Sequence, residues 1–124
     1  MLKDSWISRA EDLISEARNL VEKGVYWLAC FLSHQAVEFY LKGILADKLG
    51  FFPFTHDLVE LLREIKGIGE EVPTRVFESA ELLTPHYLTS RYPGKRAIEY
   101  DERRAKLCLM HAEAIVNWAR KLTS

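Results

Sequence analysis

The sequence has few amides and few cysteines, and it contains no long hydrophobic run. Its 124 residues include one glutamine, Gln35, two asparagines and two cysteines. No hydrophobic segment approaches the roughly 20 residues that a bilayer-spanning helix needs. Residues 1–10 are too polar for a secretory signal. We therefore expect no association with a membrane.

The charge balance excludes one class of partner. The chain carries 17 basic and 18 acidic residues, so its formal net charge is −1. A protein that coats DNA through bulk electrostatics needs a strong positive excess, which is absent here. The hydrophobic fraction of 48% and the charged fraction of 28% are typical of a globular protein. Because 124 residues are enough for one hydrophobic core but too few for two, we expect a single domain over residues 1–124.

The two cysteines, Cys30 and Cys108, fall inside predicted helices, with no CxxC or His–Cys spacing that would indicate a metal site. Isolated cysteines of this kind are usually small buried hydrophobes in a reducing compartment. We expect reduced thiols, a cytoplasmic location, no metal and no cofactor.

The hydrophobic periodicity is helical throughout, and no segment alternates as a strand would. Glycine and proline separate the periodic segments, with stops at Gly24 and Gly67 and a kink or end at Pro85. Thr55 and Asp101 are predicted N-caps. The predicted fold is all-α, an antiparallel up-and-down bundle of four longer helices plus one short helix. The helices are predicted over residues 5–23, 25–49, 73–87 and 101–122, with the short one running from its N-cap at residue 55 to the stop at residue 67.

The second predicted helix is hydrophobic around most of its circumference, which places it in the middle of the bundle. Four polar residues on one side break this pattern, and we call them the polar stripe: His34, Gln35, Glu38 and Lys42. Burying an unpaired polar group costs on the order of 1–3 kcal/mol, so each needs a partner. Glu38 and Lys42 can pair with each other at i,i+4, and Gln35 can bridge helices, or the stripe can face a ligand or another protein.

The last predicted helix carries Arg104 and His111 on its hydrophobic face, two turns apart. One interpretation is a phosphodiester site, where arginine holds phosphate and histidine exchanges protons near neutral pH. The other is structural, with the Arg104 guanidinium extending to solvent from the helix end and His111 hydrogen-bonded in the core.

A third cluster follows the predicted kink, in the segment from His86 and Tyr87 to Arg91, Tyr92 and Pro93. An arginine beside aromatic rings can hold a phosphate and stack on a base. The alternative is a surface loop fixed by proline, with its tyrosines covering the end of the bundle.

Three segments together resemble the HEPN domain family. FLSHQAVE at residues 31–38, followed by YLK at 40–42, is similar to the family's FHxxQAAEKxLKA helix. THDL at residues 55–58 resembles its HDL helix start, and YLTSRYP at 87–93 resembles its YxxxRYP loop. The segments occur in the family's order along most of the chain.

The resemblance implies an antiparallel helical bundle that forms a homodimer. It also implies a partner, because such proteins are often encoded beside a minimal nucleotidyltransferase as a toxin–antitoxin or related pair. Many members are metal-independent ribonucleases that use an arginine and, after four to six residues, a histidine, with the motifs of two subunits meeting at the dimer interface. Arg104 and His111 fit this spacing, although Ala105 stands where the family usually has a polar residue.

We therefore hypothesise a binding module that takes a nucleotide, RNA or the nucleotidyltransferase, with no chemistry of its own. Seven residues are its predicted binding residues: Gln35, Glu38, Lys42, His56, Tyr87, Arg91 and Tyr92. The alternatives are a toxin ribonuclease with Arg104 and His111 as catalytic residues, and a purely structural helical oligomer.

Overall fold

The computed structural model describes residues 2–93 and 99–123. Within these ranges the secondary structure is entirely helical, which confirms the predicted all-α class. None of the described helices is long and apolar enough to cross a bilayer. The helices are α1 (Leu2–Lys23), α2 (Tyr26–Leu49), α3 (Leu58–Gly67), α4 (Thr74–Leu83), α5 (His86–Thr89) and α6 (Glu102–Thr123).

Helix α2 occupies the centre of the bundle, as its hydrophobic circumference predicts. It packs against α1, α3, α5 and α6, while α6 also contacts α1 and α4. The turn between α1 and α2 consists of Gly24 and Val25, so the two helices run antiparallel. Gly24 has a φ of 81°, a left-handed conformation that glycine adopts without strain, and this ends α1 where the sequence predicts.

The start of α3 corrects one prediction. The N-cap is Asp57 and not Thr55, because the Asp57 carboxylate accepts hydrogen bonds from the backbone N–H groups of Val59 and Glu60. Thr55 lies two residues before this cap. Its hydroxyl accepts a hydrogen bond from the Asp57 N–H at 3.1 Å and donates one to the Glu60 carboxylate at 2.9 Å. Both Thr55 and Asp57 therefore make hydrogen bonds at the start of α3, but only Asp57 occupies the N-cap position.

Pro85 ends the helical run after α4, as predicted, and the chain resumes in the single turn of α5. Helix α4 therefore has ten residues, like α3, and the predicted fourth long helix is divided in two. Asp101 caps α6 as predicted, since its carboxylate accepts from the Arg104 N–H at 2.8 Å. Of the loop predicted between α5 and α6, residues 94–98 lie outside the described residues.

The expectation of two reduced thiols is wrong in this structure. Cys30 of α2 and Cys108 of α6 form a disulfide, with their Cα atoms 5.2 Å apart. The residues are separated by 78 positions. They meet only because α2 and α6 pack together, and the sequence spacing gives no sign of that contact.

Candidate functional site

The polar stripe lies inside the protein. His34, Glu38 and Lys42 are buried on α2, and Gln35 is half-buried at its edge. Among the described residues, no buried side-chain nitrogen or oxygen lacks a hydrogen-bond partner. The buried polar groups of the stripe therefore have their hydrogen-bond partners within one subunit, which agrees with the interpretation that the stripe residues pair inside the protein.

The Glu38 carboxylate is the centre of this arrangement. Its Oε2 accepts a hydrogen bond from Lys42 Nζ at 3.0 Å, and its Oε1 lies 2.9 Å from His56 Nδ1. The predicted i,i+4 pair of Glu38 and Lys42 is confirmed. His56 comes from the segment just before α3, so Glu38 also ties that segment to α2.

The His34 side chain holds the same segment by a hydrogen bond to the backbone of His56. Its Nε2–H donates to the His56 carbonyl oxygen at 2.8 Å. Burial lowers the pKa of His34 against the opposing effect of Glu38, which keeps the ring neutral at neutral pH. His34 Nδ1 lies 3.2 Å from Gln35 Oε1. Because a neutral ring that donates at Nε2 accepts at Nδ1, a hydrogen bond here requires the Gln35 amide to be turned so that its NH₂ group faces the ring. Gln35 thus bonds its neighbour on α2.

The His56 ring forms part of the protein surface. It stacks on Tyr87 of α5, with ring centroids 3.8 Å apart and planes inclined by 13°. The His56 side chain is 50% exposed, whereas the Glu38 carboxylate that holds it is buried. The structure therefore brings together the predicted binding residues Glu38, Lys42, His56 and Tyr87.

Arg91 extends this surface, because it also lies against Tyr87. Its Nε–H donates to the Tyr87 carbonyl at 2.8 Å, and its guanidinium lies 4.5 Å from the Tyr87 ring centroid. The rings of Phe31 and Tyr92 are within 4.8 and 5.2 Å of the same group. Tyr92 is 63% exposed. We call the five residues the aromatic shelf: Phe31, His56, Tyr87, Arg91 and Tyr92.

Arg104 and His111 lie elsewhere, at the edge of a cavity of about 200 Å³ between α4, α5 and α6. Both are partly buried, so they lie at the edge of the hydrophobic face of α6 and not in its buried centre. The buried face of α6 is centred on Ala105, Cys108 and Ala112, and the small alanine side chains allow the close approach of neighbouring helices. His111 Nδ1 contacts the Ser79 hydroxyl at 3.1 Å, and burial lowers the pKa of His111.

His86 lies beside this cavity and is fixed by a chain of hydrogen bonds. Its Nδ1 is 2.6 Å from the Tyr100 hydroxyl, which is 2.9 Å from the Thr89 hydroxyl. Burial, assisted by the charge of Arg104, lowers the pKa of His86 to about 4. Burial also raises the pKa of Tyr100. At neutral pH this cluster therefore consists of a neutral imidazole, a neutral phenol and the Arg104 cation.

The two groups of residues are separate, and α5 lies between them. Tyr87 faces the stripe and the shelf, whereas its neighbour His86 faces Arg104 and the disulfide. The sequence reasoning missed Ser79, Tyr100 and the proximity of the cysteines to His86. Ser79 lies on α4, Tyr100 just before α6, and the cysteines on α2 and α6, so no short motif could have revealed them.

The comparisons with known proteins agree with the helical fold. The sequence model of the HEPN domain matches residues 4–122, almost the whole chain. The chain belongs to the HEPN domain family. No curated protein gives a significant match to the sequence.

Solved structures resemble this HEPN protein over nearly their full length. TT1696 from Thermus thermophilus is 28% identical, with a TM-score of 0.88 over 98% of both chains. ST0689, described as an archaeal HEPN homologue, is 32% identical, with a TM-score of 0.81 over 100% of this chain and 99% of its own. A HEPN domain protein from Thermotoga maritima, at 23% identity and a TM-score of 0.78 over 96% and 97% of the two chains, shares the fold.

Proposed function

We propose that this HEPN protein is a nucleotide-binding module that works with a minimal nucleotidyltransferase, as one half of a toxin–antitoxin type pair in the cytoplasm. The observation that carries the proposal is the aromatic shelf. It places the Arg91 cation among three aromatic rings, one of which, Tyr92, is largely exposed.

The shelf has the two chemical features that a nucleotide needs. Exposed aromatic rings can stack on a base, an interaction worth about 1–3 kcal/mol per base. A guanidinium can hold a phosphate by parallel hydrogen bonds, and its charge does not change with pH in the physiological range. Arg91 is positioned in advance, because its Nε–H is already bonded to the Tyr87 carbonyl. Less conformational entropy is therefore lost on binding.

In this proposal the polar stripe positions the shelf. Glu38 holds the His56 ring, and that ring supports Tyr87 by stacking. The charges of Glu38 and Lys42 offset each other inside the protein. We therefore assign Gln35, Glu38 and Lys42 a supporting role, with direct ligand contact left to His56, Tyr87, Arg91 and Tyr92.

The test is equilibrium binding of ATP, AMP and a short single-stranded RNA to the purified full chain. Arg91→Ala should weaken binding at least tenfold, and Arg91→Lys, which keeps the charge but not the planar group, should weaken it nearly as much. Arg75→Ala changes an exposed arginine on α4 and should leave the affinity within twofold. Absence of nucleotide binding, or equal affinity in Arg91→Ala and Arg75→Ala, would contradict the assignment.

The partnership is tested separately. A minimal nucleotidyltransferase gene beside the gene for this chain, and co-purification of the two proteins after co-expression, are the expected results. If neither a nucleotide nor a nucleotidyltransferase binds, the binding proposal fails, and the ribonuclease and the purely structural oligomer remain.

A second candidate function is a metal-independent ribonuclease, and the cavity shared by Arg104 and His111 favours it. Two exposed apolar residues of α6, Leu107 and Met110, lie near this cavity, and so does Leu82 of α4. We propose that this face joins two subunits in a homodimer, which would bring both Arg104–His111 pairs to one interface.

The ribonuclease is tested by RNA cleavage. Cleavage that is lost in His111→Ala and Arg104→Ala, but retained in the neighbouring exposed variant Arg103→Ala, would support it. Cleavage unchanged in His111→Ala would exclude His111 as a catalytic residue.

A further inference from the structure

We propose that Cys30, Cys108 and the Nε2 atom of His86 form a binding site for Zn²⁺ when the disulfide is reduced. The site is distinct from the aromatic shelf and does not depend on the proposed nucleotide binding. It is relevant because disulfides are rare in the cytosol, where dithiol reductants keep cysteines reduced.

The three residues are placed as metal ligands would be. One potential ligand atom from each of Cys30, His86 and Cys108 lies within 4.8 Å of the other two. Ligands of a tetrahedral zinc, with bonds of about 2.0–2.3 Å, lie roughly 3.5–3.8 Å apart. On reduction the two sulfurs therefore have to move apart, while the imidazole has to approach them by at most about 1 Å. The ligands belong to α2, α5 and α6, and all three residues are buried. A bound ion would therefore join three helices at one point.

The hydrogen-bond chain around His86 fixes which ring nitrogen is free to coordinate. The Thr89 hydroxyl donates to the Pro85 carbonyl at 3.0 Å, so it accepts from the Tyr100 hydroxyl. The Tyr100 oxygen then accepts from His86 Nδ1–H. The lone pair of the neutral ring is consequently on Nε2, and Nδ1 makes the outer hydrogen bond that metal-bound histidines generally have.

Formation of the site balances as follows. A dithiol reductant transfers two electrons and two protons to the Cys30–Cys108 disulfide and leaves as its own disulfide. Binding of Zn²⁺ releases the two thiol protons, and two thiolates and one neutral imidazole then hold the ion. The two thiolate charges neutralise the ion, so no net charge is added next to Arg104. Sulfur and imidazole ligands are a set that zinc favours among the common divalent ions.

The neighbouring cavity supplies a fourth coordination position. Its volume is about 200 Å³, and Cys108, His86 and Arg104 are part of its lining. Three protein ligands with one open position are typical of zinc sites that bind water or an anion. The Arg104 guanidinium at the wall would favour an anionic fourth ligand.

The test uses the full chain, first as the disulfide and then after reduction with a phosphine, which contributes no competing thiol. Cobalt(II) is added while the thiolate-to-cobalt charge-transfer absorption is recorded, and Zn²⁺ is then used to displace it. We expect stoichiometric binding by the reduced protein and at least a tenfold loss of affinity in the disulfide form. Free-thiol titration reports the redox state of each sample.

Ligand variants and a matched control make the result decisive. Cys30→Ser and Cys108→Ser each remove one of the two thiolates, so the charge-transfer band should fall by about half if cobalt still binds and disappear if it does not. His86→Ala should weaken binding at least tenfold. Glu81→Gln removes an exposed carboxylate of α4 that is not part of the cavity lining and should leave affinity within twofold. Circular dichroism confirms that each variant is folded, and the conservative serine variants serve if His86→Ala unfolds. A reduced protein that binds no cobalt or zinc, a disulfide that cannot be reduced in the folded chain, or binding unaffected by these ligand variants would overturn the proposal.

Discussion

At the scale of single residues, Glu38 is a buried carboxylate with two hydrogen-bond partners, Lys42 on the same helix and His56 before α3. Removing it leaves the Lys42 ammonium buried and without its partner at 3.0 Å. Breaking a buried ion pair in this way costs about 3–5 kcal/mol. Glu38→Ala should lower the free energy of unfolding by about that amount, as measured by urea denaturation.

Glu102→Ala is the matched control for this prediction. Glu102 and Lys106 form an i,i+4 pair of the same chemistry on α6, but both side chains are mostly exposed. Exposed pairs contribute about 0–1 kcal/mol, so the control should unfold at nearly the wild-type urea concentration. Similar losses in both variants would mean that Glu38 is not the buried anchor described here.

The same residues show which contacts can be predicted from sequence. The pairing of Glu38 with Lys42 follows from their i,i+4 spacing on one helix. The contacts of His56 with Glu38 and with His34 do not, because these pairs are 18 and 22 residues apart in the sequence and meet only when the segment before α3 folds back onto α2. Side-chain partners are thus predictable within a helix, whereas partners between helices depend on packing that is set by the whole chain.

At the scale of the helices, the ends carry most of the predictable information. Gly24, Pro85 and Asp101 act where the sequence indicates, since each imposes a local backbone or hydrogen-bond constraint. The start of α3 was predicted less well, because Thr55 and Asp57 are both good capping residues. Only the observed hydrogen bonds from Val59 and Glu60 identify Asp57 as the cap.

That assignment gives a prediction for α3. Asp57→Ala removes the acceptor for two backbone N–H groups and should destabilise the protein by about 1 kcal/mol. Asp57→Asn keeps an oxygen at the same place and should cost much less, since asparagine caps helices about as well as aspartate. Thermal and urea denaturation of both variants provide the comparison. Equal losses would indicate that the charge of Asp57, and not its cap, stabilises the helix.

For the molecule as a whole, histidine burial predicts acid sensitivity. His34, His86 and His111 all have lowered pKa values in the folded protein, with burial the main cause in each. Below pH 6.5 the unfolded chain therefore binds more protons than the folded one, so stability is complete above this pH and falls as the pH decreases toward the folded pKa values. For His86, a pKa of about 4 corresponds to about 2 kcal/mol lost between pH 7 and 5.

This prediction applies to the disulfide form without added metal and is checked by urea denaturation at several pH values. His86→Gln cannot titrate, so its loss of stability between pH 7 and 5 should be smaller than that of the wild type by about 2 kcal/mol. NMR titration should place the His86 transition well below pH 6. An identical pH dependence in the variant would show that other groups cause the acid sensitivity.

The association of two chains is harder to predict from the sequence than the fold of one chain. The bundle itself could be predicted, because helical periodicity and short turns constrain how one chain packs. A contact between two chains leaves no comparable periodicity. Its trace is exposed apolar surface, and on α6 this consists of Leu107 and Met110, at 37% and 53% exposure, beside the Arg104–His111 cavity.

The proposed homodimer can therefore be tested by placing a charge on that face. Met110→Glu would bury an unpaired carboxylate at the interface, and the dimer should dissociate at concentrations at which the wild type remains associated, as measured by sedimentation velocity. Phe54→Glu also replaces an exposed apolar side chain with glutamate, at a residue that is 100% exposed in the turn before α3, and it should leave the dimer intact. If both variants sediment like the wild type, the α6 face is not the interface. If the wild type is itself a monomer, the two Arg104–His111 pairs do not meet in solution, and the ribonuclease alternative loses its structural basis.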